Sequence, residues 1–207
     1  MLFRSVSEHT LGGMTEKVEE WGRQASGNVA KSLRTQLQSR PGVRIVTLPS
    51  LTRDEQQRVD QHRALYDQVA AAAFEHTMGK AGENPNVWPH KQSHFDYTLG
   101  NGLKFLKAKT GADAAIFAVG ADQVSTGGRK AAHALGAIVG IHVDLGYSFL
   151  TIGFIDLNTG DVLWFDYEYY GNGDRDMRDA GDVDGIVQSI LENYPGVEMK
   201  NHKVARQ

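Results

Sequence analysis

Two runs rich in β-branched and aromatic residues, Tyr147–Asp156 (YSFLTIGFID) and Val162–Tyr170 (VLWFDYEYY), flank the short connection Leu157-Asn158-Thr159-Gly160-Asp161. Gly160 is free to take positive φ, so the pattern predicts a β-hairpin. A hairpin is marginal alone and needs further strands or helices over its apolar face. Upstream, Ala114–Val119 (AAIFAV) lies between Gly111 and Gly120 and reads as a strand buried on both faces. The stretch from Gly111 to Asp166 therefore predicts the centre of a sheet that the rest of the chain must cover.

The remaining segments supply the cover. From Thr15, apolar residues Val18, Trp21, Ala25, Val29, Leu33 and Leu37 recur at helical spacing, until Pro41-Gly42. Val43–Leu48 (VRIVTL) reads as a strand closed by Pro49. Thr52 with Glu55 forms a capping box that opens a helix running to about Met78. Gly79–Lys91 carries no periodicity and reads as a loop, followed by a shorter helix through Leu99, Leu103 and Leu106 that stops at Gly111. Ala131–Val139 is apolar with small residues and reads as a buried helix, with a flexible apolar loop as the alternative. Val183, Ile186, Val187, Ile190, Leu191 and Tyr194 form the stripe of a last helix, ended by Pro195-Gly196. Met1–Gly13 reads as an edge strand or a frayed start. The fold class is thus α/β: one layered domain over 1–207 with a mixed sheet, a C-terminal β-hairpin and helices covering it. Residues 1–13 and 197–207 are expected to be poorly ordered.

Charge and composition narrow the function. A formal net charge of −3 argues against a nucleic-acid surface, which needs a basic face. There are no cysteines, which removes disulfides, thiol catalysis and thiolate zinc sites. No apolar run is long enough for a transmembrane helix. The opening MLFRSVSEHTLGGM lacks the apolar core of a signal peptide.

Each cluster of chemistry-bearing residues has a plain reading beside a sharper one. His90 and His94, with Asp96 nearby, have the residue types of an open metal site, but Pro89 and the loop composition favour a polar loop anchored by Trp88 and Phe95. His142-Val143-Asp144 places an imidazole and a carboxylate on one side of an extended chain without a third partner. The strand-to-helix junction with Ser125, Gly127, Gly128 and Arg129 offers backbone amides and a cation to an anion. It fails the G-x-x-x-x-G-K-[ST] pattern of a phosphate loop, so a plain connection is favoured. Asp174, Asp176, Asp179, Asp182 and Asp184 fit no calcium loop, and Asp182 or a neighbour is expected to cap the last helix. No catalytic set and no cofactor motif emerges, which favours a protein that is not an enzyme. The small residues Gly136, Ala137 and Gly140 permit close approach of another backbone, in the core, in a second subunit or at a lipid surface.

Several stretches in order, WPHKQSHFDYTLG (88–100), GADAAIFAVGADQVSTGGRKAAHALGAIVG (111–140), IDLNTGDVLWFDY (155–167) and GNGDRD (171–176), resemble an uncharacterised family of bacterial envelope lipoproteins. More distantly, the layout is similar to the α/β domain of the curli secretion-channel lipoproteins and to the N-terminal domain of the Tol-system translocation protein. The resemblance implies a periplasmic or outer-membrane-associated binding or assembly domain without enzymatic activity, tethered through a lipidated cysteine that this sequence lacks. Its partners would be a further copy of the chain or an envelope protein, with peripheral membrane contact. The alternative is a metal- or anion-binding protein using the 88–96 loop or the 125–130 junction.

Overall fold

A computed structural model describes residues 2–10, 14–78, 83–138 and 144–196. In chain order these form β1 (Leu2–His9), β2 (Thr15–Lys17), α1 (Glu19–Gln38), α2 (Arg53–Thr77), α3 (Pro89–Ser93), α4 (Lys104–Thr110), β3 (Ala114–Ser125), α5 (Gly127–Ile138), β4 (Tyr147–Asp156), β5 (Val162–Gly171) and α6 (Ala180–Glu192). A single five-stranded sheet runs β2-β1-β3-β4-β5. β1 and β3 are parallel and every other neighbouring pair is antiparallel, so the sheet is mixed.

The hairpin forms as the turn chemistry requires. Asp156 Oδ1 accepts from the backbone amides of Asn158 and Thr159, and Gly160 takes φ 81°. Gly160 also accepts from the Leu99 amide, tying the turn to the preceding loop. A register shift between Phe154 and Ile155 puts Leu163 beside Trp164 on one face, while Phe165 and Tyr167 face the other.

Alternation along β3 divides the core. Ala118 and Val124 join Val6, Leu150, Ile152, Phe154 and Trp164 beneath α1 and α6. Phe117 and Val119 join Ile155 and Phe165 beneath α2 and α4, around the buried ring of Tyr66. The α2 capping box is present, with Thr52 Oγ1 accepting from Glu55 N and Glu55 Oε2 accepting from Thr52 N. Asp179 caps α6, accepting from Gly181 N and Asp182 N.

Several sequence-based expectations change, beginning with the end of the expected 79–91 loop, where Pro89–Ser93 is the short helix α3. Leu2–His9 is neither frayed nor an edge: it is an inner strand, held by β2 on one side and β3 on the other. Its serines and charges hid it, because strand propensity reflects packing more than an intrinsic preference. Val43–Leu48 is not a strand. α1 and α2 cover opposite faces, so their connection has to pass from one to the other. Val43 and Ile45 pack on the α1 side and Leu51 on the α2 side. The passage lies beside Ala114–Ala118, where β3 pairs with β4 but is open on its other side because β1 pairs only from Val119 onward. Finally, the apolar run expected as a buried helix is helical from Gly127 to Ile138, yet none of its described side chains is buried. α5 follows β3 past the strand's end, and none of its described side chains joins either core cluster. Val139, Gly140, Ile141 and His142-Val143 lie outside the described residues, as do 11–13, 79–82 and the tail from 197.

Candidate functional site

The upper half of the sheet, on the α2 face, is left partly uncovered, and there an aromatic cleft of about 610 Å³ opens. One wall is a stripe of α2 at helical spacing: Asp67, Ala70, Ala71, Phe74, Glu75 and Met78. The alanines matter most, since their short side chains keep α2 from filling the space above the strands. The other wall comes from alternate residues of the hairpin, Tyr147, Phe149 and Thr151 on β4 with Tyr167 and Tyr169 on β5. Registration places Phe149 opposite Tyr169 and Thr151 opposite Tyr167. Val119 contributes the floor, and Asn84 and Asn86 one end.

The rings form two groups. Phe74 meets Phe149 edge-on with centroids 5.5 Å apart, and Tyr167 edge-on at 4.7 Å. Tyr147 and Tyr169 stack at 5.9 Å and 19° near the mouth. Tyr147 stands opposite Gly171, which has no side chain to compete for that space. Tyr169 is 56% exposed and Phe74 38%, unusual for rings that could have been buried. Among the described residues the lining holds two carboxylates and no lysine, arginine or histidine. Its Thr151 hydroxyl donates to the Val119 carbonyl, so no side-chain base activates it. Such a surface offers π faces and negative charge, which suits a cationic or flat apolar group. It holds no nucleophile paired with a base.

The residues singled out from sequence sit elsewhere. Ser125 ends β3, 6% exposed, and its Oγ has no hydrogen-bond partner among the described residues. Its cross-strand neighbour His9 has a buried Nδ1 in the same condition. Gly127 and Gly128 are exposed at the start of α5. Arg129 is committed to two carbonyls, with Nε donating to Asp144 at 2.6 Å and Nη1 to Thr10 at 3.3 Å. It pins the junction to the β1 end and to the entry of β4, instead of facing an anion.

His90 and His94 begin and follow α3 without converging. His90 stacks near Trp88, which itself lies 3.8 Å from His76, and His94 Nδ1 faces Ser93 Oγ. Asp96 pairs with Lys91, whose bond holds its carboxyl below the usual range. Among the described residues no group of three or more His, Asp or Glu side chains is placed to hold a metal ion. Three of the aspartates after the hairpin hold local structure: Asp179 caps α6, Asp182 pairs with Arg175, and Asp176 chelates Arg178, whose guanidinium stacks over Trp21 at 4.1 Å. No described helix is long and apolar enough to cross a membrane.

No protein-family model, curated protein or solved structure matches this chain.

Proposed function

We propose that the chain is a non-catalytic binding domain that takes a cationic, apolar group into the cleft between α2 and the upper hairpin. One observation carries this reading: five aromatic rings line a half-open cleft together with Asp67 and Glu75, and among the described residues no basic side chain joins them. Exposed rings cost solubility, and an aromatic lining rimmed by carboxylates is the chemistry that recognises ammonium and guanidinium groups. A thermal-shift series with benzyltrimethylammonium, benzyl alcohol and benzenesulfonate tests it, because a ligand that binds only the folded state raises the melting temperature. The cation is expected to raise it most and the sulfonate least. Equal shifts for all three, or none, overturn the reading.

The family resemblance adds that this binding serves assembly at the bacterial envelope, with an envelope protein or another copy as partner. Fractionation of cells expressing the natural coding region tests the location. A second reading, a small anion at Ser125–Arg129, is favoured by the unpartnered hydroxyl of Ser125 and opposed by the commitment of Arg129. Phosphate and sulfate arms of the same series decide it.

A further inference from the structure

α5 is an apolar helix none of whose described side chains is buried. Leu135 is 67% exposed and Ile138 80%, and the helix carries Arg129 and Lys130 but no acidic residue. Lys130 projects from the exposed side, its charge felt by Asp176 of the same chain. The described lining of the cleft has the opposite character, aromatic and acidic. The two also match in length. Twelve residues of α5 and the α2 stripe from Asp67 to Met78 each extend about 17 Å at 1.5 Å per residue.

We infer that the cleft receives α5 of a second copy of this chain, with Leu135 and Ile138 against the rings and Lys130 toward Glu75. This rests on the reading of the cleft as a site for a cationic, apolar group, and it names that group. An amphipathic helix laid in an aromatic groove is a recurrent mode of recognition. Pairing of α5 with another α5 is the poorer choice, since it brings like charges together with no carboxylate between them. Helix-into-cleft contact is head-to-tail: each copy uses one surface to give and another to receive, so it propagates into a ring or a filament.

That asymmetry supplies the test. A helix variant, Leu135→Asp with Ile138→Asp, keeps the cleft; a cleft variant, Glu75→Lys with Tyr169→Ala, keeps the helix. All four positions are exposed, so both proteins should fold, and circular dichroism melts verify it. By sedimentation velocity the wild type is expected to grow in mass with concentration, each variant alone to stay monomeric, and an equimolar mixture to form a one-to-one complex and stop there. A wild type that stays monomeric, a cleft variant that still self-associates, or a mixture that does not pair overturns the inference. Capture of a monomeric wild type by anionic phospholipid vesicles, lost in the helix variant, overturns it in favour of a lipid surface. If self-association fails while benzyltrimethylammonium still stabilises the fold, the cleft reading stands without this occupant; if the cation fails too, both fall.

Discussion

Asp122 on β3 and Ser148 on β4 face each other with Oδ1 and Oγ 2.7 Å apart, in a part of the α1 side that is closed to water. The same serine oxygen lies 2.9 Å from the Arg175 carbonyl, and Asp122 Oδ2 accepts from Met177 N at 2.9 Å. A hydroxyl has one hydrogen for those two acceptors. A protonated Asp122 resolves the conflict, donating to Ser148, which then donates to Arg175. Burial pushes the Asp122 carboxyl above its ordinary value, opposed by the bonds from Ser148 and Met177. This cluster ties the segment after β5 to the middle of the sheet.

Because the folded state holds the Asp122 proton more tightly than the unfolded chain, stability is greatest on the acid side of this transition. It falls as pH rises from the ordinary carboxylate value through the raised one. Asp122→Asn reproduces the protonated pattern, with Nδ2 donating to Ser148 and Oδ1 accepting from Met177. It is expected to stay within about 1 kcal/mol of wild type and to flatten this pH dependence, whereas Asp122→Ala leaves buried groups unpaired and costs about 1–3 kcal/mol. Urea denaturation across a pH series measures both.

Tyr66 sits against Gly153, where an added Cβ would come 2.6 Å from its hydroxyl oxygen. Gly153→Ala therefore forces the ring out of the core at about 1–3 kcal/mol. The Tyr66 hydroxyl is buried and makes no hydrogen bond of good geometry among the described residues. Tyr66→Phe should be neutral or slightly stabilising, and it should partly relieve Gly153→Ala. A double-mutant cycle in denaturant reads the coupling.

Gly160 combines φ 81° with direct contact on Gly100, whose carbonyl would overlap any Cβ. Gly160→Ala is expected to cost more than the roughly 1–2 kcal/mol of a left-handed residue alone. Hydrogen exchange should show the hairpin end and the 98–100 segment opening together.

Thr52→Ala removes one half of the α2 capping box and should cost about 1 kcal/mol, read as a lowered melting temperature.

The elements easiest to read from sequence were those whose signal is local. Gly160, the Thr52–Glu55 box, the apolar run of β3 and the α6 stripe each carry their geometry within a few residues. What could not be read depends on long-range placement. β1 is interior despite its serines because β2 and β3 meet on either side of it. Val43–Leu48 has strand composition but spends it crossing between faces. The Arg129 cation looks free in sequence, yet its bonds reach Thr10 and Asp144. The cleft was missed for the same reason. Phe74 reads as an ordinary core position, and so do Phe149 and Tyr167. Only the alanines opposite them, and the alternation of two strands far along the chain, leave the rings uncovered.

The most direct measurement of the central claim is a titration of the folded protein with benzyltrimethylammonium, followed by NMR of aromatic side chains. Saturable shifts are predicted at Phe74, Tyr147, Phe149, Tyr167 and Tyr169, weakened at least several-fold by Glu75→Lys. Shifts confined to other rings, such as Trp88 or Tyr97, or indifference to Glu75→Lys, would contradict the account.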